Sequence, residues 1–230
     1  MGDWVAFWDS DHSIYVSACH RDVHFRTIAD DIAAYVPSPA ATLLDYGCGE
    51  ALHAERIAAK VARLVLVEAA PRIRAKLADR FAHDPRIDVR APDDLSAIAE
   101  RSIDVIAMNS VTQYLTRPQL EAQFATFRRL LRADGLLLVG DVIPPDVSAV
   151  TDALALLRLA SAHGFLLAAV GGLLRTLVSD YWRLRSRIGL SHYSEDEMAQ
   201  RLAAAGFSAA RAPANIGHNQ ARMTFLARSA

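Results

Sequence analysis

The nine residues Leu43-Leu44-Asp45-Tyr46-Gly47-Cys48-Gly49-Glu50-Ala51 set the architecture of this 230-residue chain. Two apolar residues followed by an acid indicate the end of a buried strand. The two glycines then allow a sharp turn and a close approach of the backbone to a ligand. Beyond Ala51 the apolar residues recur at helical spacing, at Leu52, Ile57, Ala58 and Val61. A strand, a glycine turn and a helix N-terminus together predict a nucleotide pocket of the Rossmann kind.

The spacing of the glycines argues against a dinucleotide. The fingerprint G-x-G-x-x-G needs a glycine at position 52, where this chain has Leu52. Asp45 would repel a pyrophosphate, but it can accept hydrogen bonds from an ammonium group, directly or through water. The run Leu64-Val65-Leu66-Val67-Glu68 predicts a second buried strand that ends in an acid. Glu68 follows the glycines by about twenty residues, where an acceptor for ribose hydroxyls is expected.

These motifs resemble those of class I S-adenosylmethionine-dependent methyltransferases, in particular Asp45-Tyr46-Gly47-Cys48-Gly49 followed by Val67-Glu68-Ala69. The resemblance extends from Leu43, through residues 104–109 and 131–136, to the C-terminus. Many members have a third glycine where this chain has Ala51; alanine is small and favours helix, so we expect the pocket to be retained. The resemblance implies an α/β Rossmann-like fold with a seven-stranded, mostly parallel sheet, an antiparallel closing strand, helices on both faces and a helical lid. It also implies S-adenosyl-L-methionine as the cofactor and S-adenosyl-L-homocysteine as its product.

The same resemblance assigns residues to the cofactor. It implies contacts from Asp45, Gly47, Cys48, Gly49, Glu50, Glu68, Ala69, Asn109 and Ser110. An acid after strand three often reads the adenine amino group, and here it is Asp93 or Asp94. Both aspartates also suit a turn or a helix cap beside Pro92. A methionyl carboxylate needs a cationic or hydroxyl partner, for which we consider Tyr15 and Arg26, with Arg21 as a further candidate.

The acceptor is expected at the carboxyl end of strand four, where a bound methyl group would face it. The residues after Asn109 lack the Asn-Pro-Pro-Tyr type used on nucleic-acid bases or glutamine and are closer to those of small-molecule enzymes. Gln113 and Tyr114 are candidate substrate residues. A polar loop at 215–220 adds Asn219 to the substrate residues and His218 as the leading candidate for a base, with His192 second.

The predicted reaction is methyl transfer by in-line displacement, to which the protein contributes proximity, alignment and exclusion of water. A hydroxyl acceptor would need a histidine or carboxylate to remove its proton, whereas an amine or an activated carbon can react without one. The acceptor atom therefore stays open between oxygen, nitrogen and carbon. Two alternatives are a nicotinamide-dependent oxidoreductase, which Leu52 and Asp45 disfavour, and a nucleotide-binding protein of the same fold without catalysis.

The apolar and turn patterns divide the chain into three parts. Residues 1–36 form a helical extension, which the family resemblance suggests covers the pocket. Residues 37–143 and 193–230 form the core, and residues 144–192 form a helical lid. Within the core, the periodicity predicts helices from Pro71 and from Pro118 to Leu131. Asp134-Gly135 predicts a turn into strand five, and Ser194 predicts a capping box.

The composition of the chain limits the kinds of partner that it is expected to bind. The formal net charge of -1 argues against broad electrostatic binding to nucleic acid. Cys19 and Cys48 form neither a disulfide framework nor a metal-binding spacing, so no metal is expected. The N-terminus lacks a basic segment followed by an apolar one, which predicts a cytoplasmic protein without a signal peptide.

The lid at 144–192 has an apolar run, residues 164–174, that is too short for a membrane span and precedes an arginine-rich segment. It fits a buried helix pair, a lid over a hydrophobic acceptor of lipid, quinone or natural-product type, or a surface that contacts an anionic membrane. Its apolar face could equally be buried in a homodimer.

Overall fold

Seven strands form one sheet in the computed structural model, which describes residues 2–10, 15–176 and 189–230. The strand order is β3-β2-β1-β4-β5-β7-β6, and β7 runs antiparallel to both of its neighbours. The remaining pairs are parallel. The strands are β1 (Thr42–Tyr46), β2 (Arg63–Val67), β3 (Ile87–Arg90), β4 (Ile103–Asn109), β5 (Leu131–Val142), β6 (Phe207–Arg211) and β7 (Met223–Ser229). The predicted seven-stranded sheet with its antiparallel closing strand is confirmed.

Helices cover both faces of this sheet. The described helices are α1 (Gly2–Trp8), α2 (Ala18–Ala33), α3 (Ala54–Ala58), α4 (Pro71–Arg80), α5 (Arg117–Leu130), α6 (Ala149–His163), α7 (Leu166–Thr176) and α8 (Glu195–Ala204). One apolar core packs α5 and α8 against the sheet, and the other packs α2, α3 and α4. Successive residues of β1 alternate between them, with Leu44 and Tyr46 in the first core and Leu43 in the second. Both faces of β1 are therefore buried, as in other parallel sheets.

The order of the strands creates the crevice for a ligand. From β1 the chain goes to β2 on one side, and the later strand β4 lies on the other side of β1. The segments that follow β1 and β4 thus lead to helices on opposite faces of the sheet, and such a switch point is where α/β sheets bind ligands. In the turn after β1, the Gly47 N–H donates a hydrogen bond to the carbonyl of Val67 at the end of β2, at 2.8 Å.

Several predicted boundaries differ from those observed. Strand β5 begins at Leu131 rather than after Asp134-Gly135: Leu131 pairs with Ile103, whereas Leu136 pairs with Val105. The intervening residues form a bulge, so the predicted turn lies inside the strand. Helix α2 begins at Ala18 because the hydroxyl of Ser17 accepts from the His20 N–H, a capping signal that the apolar pattern does not contain.

Two further boundaries concern helix starts. Helix α3 has five residues, so Leu52 precedes it and His53 occupies its N-cap position. At α8 the predicted start is confirmed: the Ser194 hydroxyl accepts from the Glu197 N–H at 3.1 Å.

The predicted lid region contains α6 and α7, which pack on each other through Ala160, Phe165 and Ala169. These two helices expose large apolar side chains, at Val150 and Leu154 in α6 and at Leu166, Leu167, Val170 and Leu174 in α7. The arginines expected to follow, Arg183, Arg185 and Arg187, lie outside the described residues. Within the described ranges, no helix is long and apolar enough to cross a membrane.

Substitution of Gly47 tests the turn after β1. A Cβ at Gly47 (φ 73°) would lie 2.5 Å from Val111 Cγ2, whereas one at Gly164 (φ 76°) would meet no atom within 4 Å. Gly164→Ala should therefore cost only the left-handed strain, roughly 1 kcal/mol of unfolding free energy. Gly47→Ala should lose about 1–3 kcal/mol more through overpacking. Urea unfolding measures both; equal losses would show that the turn tolerates a side chain.

Candidate active site

A cavity of about 310 Å³ opens at the carboxyl ends of β1, β2 and β4. It brings together many of the residues predicted from the sequence, although they come from five separate segments of the chain. Those that line the cavity are Tyr15, Asp45, Gly47, Cys48, Gly49, Glu68, Ala69, Asn109, Ser110, Gln113 and Tyr114.

The Glu68 carboxylate connects the turn after β1 to the start of α4 at one side of the cavity. One oxygen accepts from the Gly49 N–H at 2.8 Å and the other from the Ala70 N–H at 2.7 Å. Only 7% of the residue is exposed, and this burial raises the pKa of its carboxyl. Each oxygen has a second lone pair, so the carboxylate can accept further hydrogen bonds from hydroxyl groups in the cavity.

Asp45 lies beneath the same turn. Its burial, followed by the negative charge of Glu68, raises the pKa of the Asp45 carboxyl to about 7. A positively charged ligand in the cavity would favour the ionised form of this group. Burial, assisted by Asp45 and Glu68, also raises the pKa of the Cys48 thiol well above its usual value. Cys48 therefore stays protonated and is unsuited to act as a nucleophile.

The N-terminal candidates separate into two groups. Tyr15 lines the cavity, and its hydroxyl pKa is raised by burial and by Glu50. Glu50 instead forms an ion pair with Arg21, including a 2.7 Å bond from Arg21 Nε. Arg26 lies on the outer side of α2, within 3.8 Å of Asp22. Among the described lining residues, neither Glu50 nor Arg26 appears.

Neither adenine candidate, Asp93 or Asp94, is among the described residues that line the cavity. Asp93 and Asp94 are exposed on a short 3₁₀ helix, Pro92–Ala97, and the Asp94 carboxylate accepts from the Ala91 N–H at 2.8 Å. Asp94 thus caps this helix, which is the alternative that the sequence left open. The neighbouring Pro92 and Ile73 supply an apolar surface on this side of the cavity.

An aromatic wall, defined here as Trp4, Trp8 and Tyr114, closes another side. The Tyr114 ring lies 4.7 Å from the ring of Trp4 and 5.8 Å from that of Trp8, measured between centroids. Helix α1, which supplies both tryptophans, is fixed by Asp9, whose carboxylate accepts from the Arg72 N–H at 2.6 Å. The sequence did not predict this helix as a separate element.

Gln113 lies beside the aromatic wall at 4% exposure. Its side-chain oxygen is buried without a hydrogen-bond partner among the described residues. Because a buried acceptor is costly to leave unsatisfied, this amide suits a ligand with a hydrogen-bond donor.

A polar network occupies the far end of the cavity. Ser110 and Asp141 have φ values of 58° and 59°, and the Ser110 hydroxyl donates to Asp141 at 2.7 Å. Arg222 donates to Asp141 at 2.6 Å and to Asp152 of α6 at 3.0 Å. Left-handed backbone in non-glycine residues is strained and concentrates at functional sites. Asp141 and Arg222 line the cavity and were not predicted as site residues.

Two described histidines line the cavity, His24 and His53, and the sequence did not single out His24. The Nε2 atom of His53 lies 2.9 Å from a carboxylate oxygen of Asp22. The ring centroid of His24 lies 6.0 Å from that of His218 and 6.2 Å from that of His20. His218, the predicted base, is half-buried behind His24, and His192 is half-buried elsewhere; neither is among the described lining residues. Asn219 is also behind the cavity, donating to Asp152 at 2.9 Å.

The three imidazoles do not make a metal site. Across the described ranges, no group of three or more His, Cys, Asp or Glu side chains is placed to hold a metal ion.

Comparison with known proteins identifies the class. The sequence model of the methyltransferase-domain family matches residues 20–211, so the chain belongs to that family. Its fold and its glycine turn are those of class I S-adenosylmethionine-dependent methyltransferases. No functionally curated protein matches the chain in sequence.

Solved structures share the fold. Mitomycin 7-O-methyltransferase is 19% identical, with a TM-score of 0.58 over 90% of this chain and 54% of that one. Burkholderia thailandensis 1,6-didemethyltoxoflavin-N1-methyltransferase, solved with 1,6-didemethyltoxoflavin and S-adenosylhomocysteine, is 19% identical, with a TM-score of 0.54 over 88% and 75%. Haemonchus contortus phosphoethanolamine N-methyltransferase 1 is 18% identical, with a TM-score of 0.52 over 62% and 31%. The chain thus spans about a third to three quarters of these proteins, and the likeness establishes the fold.

The raised pKa of Asp45 predicts a pH dependence of stability. Between its usual value near 4 and about 7, the unfolded chain has lost a proton that the folded protein still holds. Stability should therefore fall as the pH rises through this window, by up to about 1.4 kcal/mol per pH unit from this group. Asp45→Asn should remove that slope, whereas Asp79→Asn, at an exposed aspartate, should leave it. Urea unfolding between pH 4 and 8 measures this pH dependence of the unfolding free energy. Identical slopes in wild type and Asp45→Asn would contradict the raised pKa of Asp45.

Proposed function

We propose that this enzyme methylates a small, largely apolar acceptor bound beside the cofactor in the described cavity. One observation carries the proposal: a single cavity is lined by the carboxylates Asp45 and Glu68, by the aromatic wall and by the hydrogen-bonded pair Ser110 and Asp141. Groups suited to a nucleotide and to an acceptor thus share one cavity, and bringing the two molecules together is the main requirement for group transfer by proximity.

The residues present fit S-adenosylmethionine. When bound, this cofactor supplies an electrophilic methyl group on a positively charged sulfur. The free lone pairs of Glu68 suit the ribose hydroxyls, and Asp45 suits the ammonium group, directly or through water. Tyr15 offers a hydroxyl to the methionyl carboxylate. Asn109 and Ser110 follow β4, on the side where the methyl group would meet its acceptor.

The acceptor side supports a small apolar molecule. Besides the aromatic wall, the lining includes Leu115, Ile143 and Leu190. Aromatic side chains bind flat apolar ligands through large contact areas, while Gln113 can orient a polar substituent. Two of the similar structures are named for small acceptors, a mitomycin and a toxoflavin precursor.

A second candidate is a protein that binds the cofactor without transferring its methyl group. The paired state of Asp141 favours this alternative, because a carboxylate held by Arg222 and Ser110 is poorly suited to act as a base. Membership of the methyltransferase family leaves the oxidoreductase alternative with no supporting observation.

The division of the chain into three parts and the role of its exposed apolar surface are also proposals. We retain residues 1–36 as a cap, residues 37–143 and 193–230 as the core, and residues 144–192 as a lid. The apolar side chains exposed by α6 and α7 suit either a membrane surface or a second copy of the chain, and both interpretations stay predictions.

Calorimetry with S-adenosylhomocysteine tests the cofactor site. Glu68→Gln removes one acceptor that we assign to the ribose, and it should raise the dissociation constant by a factor of about 10 or more. Glu100→Gln, at an exposed glutamate, should leave binding unchanged. Because Glu68 also holds the turn, circular dichroism must show that the variant is folded. Equal affinities of wild type and a folded Glu68→Gln would contradict the assignment.

Ligand-dependent unfolding separates the functional alternatives. At about 100 times its dissociation constant, S-adenosylhomocysteine should stabilise the protein by about 2.7 kcal/mol, whereas NADH should not. Mass spectrometry of small aromatic and lipid-like acceptors incubated with S-adenosylmethionine should then detect a gain of one methyl group. Stabilisation without methylation of any acceptor would favour the binding protein.

A further inference from the structure

We propose that His24 binds the nucleophilic hydroxyl of the acceptor and takes up its proton, and that the acceptor is a flat aromatic alcohol of the phenol type. The inference rests on the proposed methyl transfer and specifies its acceptor and its base. The role of base, predicted for His218, is thereby assigned to His24, which lines the cavity whereas His218 does not.

The position of His24 supports this role. Residues His20 and His24 are four positions apart on α2 and so share one face of the helix. His20 is 7% exposed and stacks on Phe165, with ring centroids 5.4 Å apart. His24 keeps part of its surface accessible and lines the cavity. Of the three clustered imidazoles, His24 is therefore the one that a bound molecule can reach.

The charged groups at this end of the cavity are already committed to one another. Asp141 accepts hydrogen bonds from Ser110 and Arg222, and Asn215 donates to it at 3.4 Å. The second carboxylate, Asp152, accepts from Arg222 and Asn219. Both acids are therefore paired with Arg222. Of the two described histidines that line the cavity, His53 is paired with Asp22, which leaves the imidazole of His24 as the acid–base group facing the ligand.

The surroundings of His24 keep it neutral when the cavity is empty. Burial, followed by the charges of His218, His20 and Arg222, lowers the pKa of His24 to about 3. Among the described residues, the Tyr15 ring also faces it, with ring centroids 5.5 Å apart. A neutral imidazole has one ring nitrogen that accepts, so it can receive a hydrogen bond from a hydroxyl at any working pH.

The reaction balances without a further reagent. A lone pair of the acceptor oxygen forms the bond to the methyl carbon, the carbon–sulfur bond breaks, and its electron pair stays on sulfur. The hydroxyl proton passes to the free ring nitrogen of His24 and then to solvent. The cavity loses the positive charge of the sulfonium and gains that of the imidazolium, so its net charge does not change. This balance offsets the low basicity that His24 has in the empty cavity.

The class of acceptor follows from the same groups. An amine would not require a base, whereas a hydroxyl must lose its proton during transfer. The aromatic wall favours a flat ring over a flexible chain, because ring stacking adds to the burial of apolar surface. A hydroxyl on an aromatic ring is also more acidic than one on an alkyl chain, which suits a weak base.

Equilibrium dialysis with 2-naphthol and its methyl ether tests the binding step. The protein is first saturated with S-adenosylhomocysteine, whose own dissociation constant is measured separately. Wild type should bind 2-naphthol about fivefold tighter than the ether, as expected for one hydrogen bond. His24→Ala should abolish this preference without changing the affinity for S-adenosylhomocysteine. His83→Ala, at an exposed histidine, should retain it.

Three results would overturn the proposal: no preference in wild type, an unchanged preference in His24→Ala, or a loss of S-adenosylhomocysteine binding in that variant. The last would assign His24 to the cofactor. Failure of S-adenosylhomocysteine to bind wild type would instead overturn the proposed function itself, so the two failures are distinguishable.

Single-turnover transfer of labelled methyl to 2-naphthol tests the proton step. His24→Gln keeps a hydrogen-bond acceptor but cannot take a proton, so it should retain the binding preference and lose about 100-fold in rate. Raising the pH towards ionisation of 2-naphthol should restore part of that rate, because an ionised acceptor needs no base. No transfer by wild type, or a rate in His24→Gln equal to that of wild type and of His83→Gln, would overturn this step.

Discussion

The active site depends on the hydrogen bonds that the Glu68 carboxylate accepts from two backbone N–H groups. One comes from Gly49 in the turn after β1, and the other from Ala70 at the start of α4. A single side chain thus ties together the loops that follow adjacent parallel strands. Burying a carboxylate is costly, but these bonds and the nearby Arg74 guanidinium partly offset the cost. Both loops are then fixed before a ligand arrives, which lowers the entropy lost on binding.

Charge is distributed unevenly along the cavity. Asp45 and Glu68 line one part of the cavity with their pKa values raised by burial, and a cation bound beside them would favour the ionised form of both carboxyls. In another part, Arg222 compensates Asp141 and Asp152, and the histidines are neutral. The first part is suited to a positively charged cofactor and the second to an uncharged acceptor. This separation agrees with a reaction in which a cation is consumed and a neutral molecule is modified.

The sequence predicted the parts of the site that are local in the chain. Asp45, Gly47, Gly49 and Glu68 could be found because the strand, the turn and the following strand are each set by residues within a few positions of one another. The fold followed from the same alternation of strands and helices. Asp94 illustrates a limit: an acid beside a proline has the same local pattern whether it caps a helix or contacts a ligand, and here it caps.

The polar network around Asp141 and the position of His24 could not be predicted from the sequence, and the reason is a different one. Arg222 and Asp141 are 81 residues apart, and Ser110 is 31 residues from Asp141, so no local spacing connects them. The left-handed backbone of Ser110 and Asp141 also has no sequence signal, since neither is glycine. His24 lies in a region with several histidines and aromatic residues, where only the packing of α2 against the sheet determines which ring reaches the cavity.

The most direct test of this account is a crystal structure of the complex with S-adenosylhomocysteine. We expect the ribose hydroxyls within hydrogen-bond distance of Glu68, with the sulfur near Ser110 and facing His24 across the space left for the acceptor. A nucleotide bound outside this cavity, or within it but without contact to Glu68, would contradict the central claim.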